Sequence, residues 1–339
     1  MKLSMNNEDG ERASLGESQT RNHKMPKVSV IIPTHNRPHL LPRAVQSARQ
    51  AGTDVEVIVV DDASIDATAE VCQQLAGIKY VRVERNRNVA GARNLGILAS
   101  TADYISFLDD DDLRLPESLD LQLEALEATP EAGFVYGQML LGNQDGLATG
   151  ELHPASCPQG DIFWRLLERN FVPCGSVVFR KSCLLRIGLL DEAIPGVDDW
   201  DLWIRMAELY PVVAIEQPMI IWRQSTFDSG QLSSSAPRMM ALSAHLFRSR
   251  WLGLPRAASA DLKQRRAIWH RYHVAGTHYL LGQAARALQE RHFKVAFTNA
   301  LAALKFNPRE VARSLVHPAT LRFLSSPIRI DALRKTRCP

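Results

Sequence analysis

The sequence predicts an α/β protein: a mostly parallel sheet flanked by helices, followed by a C-terminal helical region. Three observations carry this. β-Branched runs alternate with helical periods over residues 28–136, polar clusters follow the apolar runs, and the spacing turns wholly helical from Pro237 onward. Strand–helix alternation of this kind argues for βαβ units. In such sheets ligands bind beyond the carboxyl ends of the strands.

The elements read in order as follows. Residues 28–33 form a short β-branched strand, and 38–50 has helical spacing through Leu41, Val45 and Ala48. Residues 54–60 are a buried strand. A helix over 66–76 has Asp66 as its N-cap. A strand over 78–83, a helix over 90–100 and a strand over 103–108 follow. The helix over 115–128 carries Pro116 in its first turn. Residues 137–160 read as loop. Short helical stretches over 161–169 and 181–187 flank a strand over 176–180. Asp198–Leu209 is an amphipathic helix that opens with acids. Residues 284–290 and 295–304 resemble an antiparallel helix pair rich in small side chains. Three parts result: a disordered tail over 1–26, an α/β unit over 27–235 and a basic helical region over 236–339.

Composition excludes several classes. The chain has 339 residues, 45% hydrophobic and 23% charged, which suits a globular protein with a large core. No apolar run approaches the roughly 18 residues of a membrane span, and the polar N-terminus has no secretory core. Five cysteines without metal-ligand spacing read as reduced thiols, so a cytoplasmic location is expected. The net charge of +3 hides an asymmetry: from Ala236 to the end there are 19 Lys and Arg against 4 Asp and Glu, leaving −12 for residues 1–235. There is no GxSxG, HExxH, GxGxxG or P-loop pattern, so the corresponding hydrolase, zinc, dinucleotide and Walker-type readings lose support.

The polar clusters carry the chemistry. The first strand ends in Pro33-Thr34-His35-Asn36-Arg37, the second in Asp61-Asp62, the fourth in Asp109-Asp110-Asp111-Asp112. Adjacent carboxylates repel, so such a turn is costly unless solvent or a cation neutralises it. Positions two apart share a side, so Asp109 and Asp111 can face one divalent ion together. Asp110 and Asp112 then form the turn and its cap. An acid-rich solvated loop is the alternative. Asp62 suits a nucleobase edge or a turn bonded to its own backbone. Arg93 suits a phosphate or an exposed helix face. Asp198, Asp199 and Asp201 either include a general base or complement a helix dipole, and Gly196 before them permits an unusual backbone. His35, His39 and His153 read as ordinary surface or loop residues.

Together, the segments at 28–37, 59–66, 91–96 and 107–112 with Pro116, and Val197-Asp-Asp-Trp-Asp-Leu-Trp-Ile-Arg205, resemble family 2 glycosyltransferases over about residues 27–224. The resemblance implies the Rossmann-like GT-A fold and inverting transfer from a nucleoside-diphosphate sugar, commonly UDP-linked, in surface polysaccharide or glycan synthesis. It implies that Pro33, Thr34, Asn36, Asp62, Arg93, Asp109 and Asp110 meet the nucleotide. Asp109 and Asp111 would hold Mg²⁺ or Mn²⁺, and Asp199 would be the catalytic base. Two departures stand out: Asp198 replaces the usual Glu, and Asn36-Arg37 replaces a frequent Asn-Glu.

The competing readings are a sugar-nucleotide-binding protein without activity, a nucleotidyltransferase on a similar fold, and a scaffold or nucleic-acid protein acting through the basic tail. The nucleotidyltransferase lacks its Gly-rich loop, and the tail lacks a nucleic-acid motif, so no nucleic-acid partner is expected. A glycan or lipid-linked acceptor is the expected partner. The basic region either packs on the α/β unit or contacts anionic lipid, with Trp251, Trp269, Tyr272 and Phe293 at the interface.

Overall fold

The computed structural model describes residues 26–224 and 235–316; the disordered tail expected over 1–26 lies outside it but for its last residue, as do Cys338 and 317–339. The elements are β1 Val28–Thr34, α1 Leu41–Gln50, β2 Val55–Asp62, α2 Thr68–Gln74, β3 Lys79–Val83, α3 Asn88–Ala99, β4 Tyr104–Phe107, β5 Leu113–Arg114, α4 Ser118–Glu127, β6 Phe134–Gly142 and β7 Ala148–His153. There follow α5 Phe163–Glu168, β8 Val177–Arg180, α6 Leu184–Ile187, α7 Asp198–Leu209, β9 Val212–Arg223, α8 Ala236–Ser249, α9 Pro255–Ser259, α10 Leu262–Gln289, α11 Phe293–Phe306 and α12 Pro308–Val316.

One sheet runs β3-β2-β1-β4-β8-β6-β9-β5, with β7 paired to β6. Its first half, β3-β2-β1-β4, is parallel, as the alternating pattern predicts. The second half is mixed: β8 runs antiparallel to β4 and β6, and β9 lies parallel to β6 but antiparallel to β5. β1 is buried on both faces, which explains why Val30 to Pro33 are apolar without alternation.

Three strands overturn the loop reading of 137–160 and extend the sheet past 209: the end of β6, β7 and β9. Gly137 and Gly142 punctuate β6, and Glu216, Gln217 and Pro218 break the alternation of β9. The glycine has a packing reason. A Cβ at Gly137 would lie 2.5 Å from Met219 Cγ and 2.9 Å from the Gln217 carbonyl, so only glycine lets β9 approach here. The pairing register shifts at the same place. β7 is exposed along its whole length and so shows no burial pattern. Two helix starts also move. Pro116 precedes α4 instead of sitting in its first turn. Asp66 lies one residue before the cap, where its carboxylate accepts from the Thr68 N–H at 3.0 Å.

The basic C-terminal region packs on the α/β unit and shares its core. The predicted helix pair is the end of α10 against α11. Trp251 is fully buried, its ring tilted against that of Trp200 at 5.0 Å, and donates from Nε1 to Asp201 Oδ1 at 2.9 Å. Asp201 also accepts from Arg205 Nε at 2.7 Å, so this first-turn acid of α7 is at the same time a buried anchor. Tyr272 is likewise buried, and Trp269 lies against Phe247 at 5.2 Å. Trp251 and Tyr272 are therefore core and Trp269 packs against it, which decides for packing on the α/β unit over the lipid-interface alternative at these three; of the four, Phe293 alone is largely exposed. Trp251→Ala should lower stability by about 3–5 kcal/mol, the usual cost of emptying a large aromatic site. A urea midpoint unchanged from wild type would show that this docking does not hold the two regions together.

Candidate active site

The carboxyl ends of β1, β2 and β4 and the start of α7 open on one cleft of about 840 Å³. Its wall includes Pro33, Thr34, Asp62, Arg93, Asp109, Asp110, Asp111 and Asp199, all singled out in the sequence. Asn36 is the exception. It adopts φ +54°, accepts from the Ile65 N–H at 2.9 Å through its side chain, and so ties the β1 loop to the β2 loop outside the cleft lining. His35 and His153, read as ordinary loop residues, do line it. His35 Nδ1 lies 2.7 Å from the Asp62 carbonyl oxygen.

Each acid is held differently. Asp61 is buried and structural, accepting from the Ser64 N–H at 2.8 Å and the Tyr80 hydroxyl at 2.7 Å. Asp62 accepts from the Arg87 N–H at 2.7 Å, which fixes its carboxyl at the cleft wall. Burial raises its pKa above the usual carboxylate range. Asp110 accepts from Thr34 Oγ1 at 2.7 Å and Arg37 Nη1 at 3.0 Å, so it is more than a turn residue: it locks the β1 loop to the acidic turn. Burial pushes its carboxyl up to about 6. Asp112 accepts from the Arg223 N–H at 2.9 Å and fastens the end of β9.

Asp109 and Asp111 both reach the cleft but have separate partners. Asp109 is half-exposed and accepts from Arg93 Nη2 at 2.8 Å. Asp111 Oδ2 accepts from Arg37 at 3.3 Å and Arg223 at 3.2 Å. Burial first, and the Asp109 charge next, hold Asp111 above the usual carboxylate range. This oxygen-only donor set suits a hard divalent cation. Among the described residues no cluster of three or more His, Cys, Asp or Glu groups is placed to hold an ion. The protein would thus fill part of a metal shell and leave the rest to substrate phosphates, as is common for Mg²⁺.

Arg93 joins the two ends of the cleft. Its guanidinium is buried over the Phe107 ring at 5.2 Å, and Nη1 donates to Asp198 Oδ2 at 3.0 Å while Nη2 holds Asp109. Among the described residues its Nε–H has no hydrogen-bond partner. Asp198 in turn accepts from the Gly196 N–H at 3.0 Å, with Gly196 at φ +83°, the unusual backbone expected there. Asp199 lines the cleft beside this pair. Burial, then the Asp198 charge, push its carboxyl up to about 7. A carboxyl poised there can take a proton near neutral pH.

Comparison with known proteins now decides the family. Residues 29–185 match the model of Glycosyl transferase family 2. WcaA of Escherichia coli K12, named as a colanic acid biosynthesis glycosyl transferase, is 30% identical over 198 residues, covering 55% of this chain and 67% of that protein. This chain belongs to glycosyltransferase family 2. A Campylobacter jejuni GalNAc(5)-diNAcBac-PP-undecaprenol β-1,3-glucosyltransferase is 27% identical over 281 residues, covering 80% of this chain and 88% of that one. The chain spans 62% or less of the length of the first curated relatives it matches. Among solved structures, the mannosyltransferase PcManGT from Pyrobaculum calidifontis, in complex with GDP-Man and Mn²⁺, superposes with a TM-score of 0.53 at 18% identity over 91% of this chain and 83% of its own. That likeness concerns the fold, which is GT-A.

Within this family 2 chain, Arg37 stands where the family frequently has Glu. Its guanidinium pairs with Asp110 and Asp111, so an acid there would add charge to an already acidic turn. Motif reading marked Arg37 as a departure but not as an ion partner. It missed Arg223 altogether, because 112 residues separate it from Asp111. The cleft wall given by α8 and α10, with Met239, Met240, Tyr272, Gly276 and Tyr279, was also missed. No local signal marks those residues; only the packing of the C-terminal helices brings them there.

Proposed function

We propose that this protein transfers a sugar from a nucleoside-diphosphate donor, UDP-linked by preference, to an acceptor hydroxyl with inversion, in surface polysaccharide or glycan synthesis. The observation that carries the reading is one cleft shared by Asp62, the acidic turn and Asp199, a carboxyl poised near neutrality. Asp199 takes the proton of the acceptor hydroxyl. The oxygen attacks the anomeric carbon from the face opposite the nucleotide, through a transition state with oxocarbenium character. Pro33, Thr34, Asp62 and Asp110 form the nucleoside side, and Arg93, which also lines the cleft, lies toward the diphosphate. A Mg²⁺ or Mn²⁺ ion held by Asp109 and Asp111 would neutralise charge on the departing diphosphate.

The acceptor is a glycan or a lipid-linked saccharide. The names of the Escherichia coli and Campylobacter jejuni relatives support this class. A lipid-linked acceptor is met at a bilayer, so the proposal places the protein peripherally on the cytoplasmic face of a membrane.

The test is a thermal-shift screen of sugar nucleotides with and without Mn²⁺, coupled to an assay for nucleoside diphosphate release. A ligand that binds the folded state raises its melting temperature by mass action. One donor class should stabilise the protein, and more so with metal. No stabilisation by any sugar nucleotide would sink the reading. Asp111→Ala should weaken metal-dependent donor binding by at least the roughly 10–100-fold that loss of an outer-shell metal partner costs; equal binding after chelation would remove Asp111 from the metal site.

A further inference from the structure

Helix α11 is apolar on two faces, and one of them has no protein covering it among the described residues. Ala296, Asn299 and Ala303 are buried against the neighbouring helices. Gly276 of α10 shows how close the packing is: a Cβ there would lie 2.7 Å from the Phe306 ring. About a quarter turn to a third of a turn away, Phe293, Phe297, Leu301 and Leu304 form a second apolar line. They are exposed by 66%, 69%, 39% and 48% respectively. Helices that are apolar all round are normally enclosed, and a contiguous exposed patch of this kind marks an interaction site.

Charge around the line selects its partner. Lys294 and Lys305 lie on its edge by helical spacing, Arg291 precedes it, and Arg309 and Arg313 follow on α12. Glu310 is the sole acid between Arg291 and Val316, and it is engaged by His278 at 3.1 Å and Arg313 at 3.5 Å. An isologous dimer through this face would bring two such basic sets together, which is repulsive. An apolar line edged by lysine and arginine matches an anionic bilayer surface, where the rings enter the interface and the cations meet headgroups.

We infer that the Phe293–Phe297–Leu301–Leu304 face of α11 docks the protein on anionic lipid. The inference rests on the peripheral placement in the proposed function and is separable from the chemistry of the cleft. α10 packs on α11 and lends Tyr272, Gly276 and Tyr279 to the cleft wall, so a face on α11 is joined to the cleft through one intervening helix.

The experiment is co-sedimentation of the full chain with vesicles of phosphatidylethanolamine containing about one third phosphatidylglycerol, and with vesicles of phosphatidylcholine alone. Wild type should bind the anionic vesicles at low salt and bind at least tenfold more weakly to the neutral ones or at high salt. The double variant Phe293→Ser/Phe297→Ser, and separately Lys294→Glu/Lys305→Glu, should each lose at least tenfold in anionic-vesicle binding. Both should keep the wild-type melting temperature and the wild-type shift with sugar nucleotide, readouts that report the cleft and not the face. Anionic-vesicle binding that survives both double variants overturns the inference, as does wild type that sediments with neither vesicle. A dimer in solution that the same phenylalanine substitutions dissociate also overturns it, assigning the face to a second copy.

Discussion

Replacing Asp199 by asparagine is expected to reduce sugar transfer by roughly 10²–10⁴-fold, the usual contribution of a positioned base, while donor-induced stabilisation stays near wild type. The amide keeps the shape of the carboxyl, and an acceptor for the Trp200 N–H that Asp199 holds at 2.7 Å, but cannot take a proton. The pH profile gives an independent reading. The base works ionised, and its carboxyl is held up to about 7 by burial, with the Asp198 charge adding and Arg93 opposing. Turnover should therefore rise with pH, reach half its plateau near 7 and level off above it. A profile flat between pH 5 and 8, or an Asp199→Asn variant with unchanged turnover, would remove Asp199 from the base role.

The second large effect is expected at Arg93. Arg93→Met leaves Asp198, fully buried, without its cation. Removing one partner of a buried pair typically costs about 3–5 kcal/mol, because the remaining charge is uncompensated. The urea midpoint should fall accordingly. What remains folded should also lose turnover, since the same guanidinium holds Asp109 in the acidic turn. Arg93 lowers the Asp199 pKa, so its loss should push the acid limb of the pH profile above 7. Arg93→Lys keeps the charge but has no planar fork to serve two carboxylates at once. It should retain the position of that limb better than the methionine variant while still losing turnover. An unmoved limb in Arg93→Met would show that Arg93 does not set the environment of the base.

Much of the first half of the fold was legible because its signals are local. β1 and β2 read as apolar runs because they are buried on both faces, and α7 starts and stops where its acids and periodicity place it. The far half was not legible for the opposite reason. β6 carries glycines that make room for β9, β9 carries a proline at a register shift, and β7 buries neither face. Their strand character comes from partners distant in the chain, which period and propensity do not report.

The candidate site divides along the same line. Its residue types and order were readable in the chain: a polar turn after β1, Asp62 after β2, four aspartates after β4 and Asp199 at the head of α7. That follows because a parallel sheet delivers every strand end to one edge, so consecutive motifs must converge. The assignment of individual carboxylates was not readable. Asp110 and Asp112, taken for turn and cap, are buried anchors for Thr34, Arg37 and the end of β9. Asp201, a first-turn acid of α7 as its spacing suggested, also anchors Trp251 from the C-terminal region. Arg93 spans Asp109 and Asp198 across the cleft. The sequence by itself determined the family, the order of the motifs and the edge on which they meet. The tertiary structure alone decided which oxygens are already held, which carboxyl is poised near neutrality and which helices wall the cleft. These depend on burial and on charges brought close by packing, and neither has a signature in residue spacing.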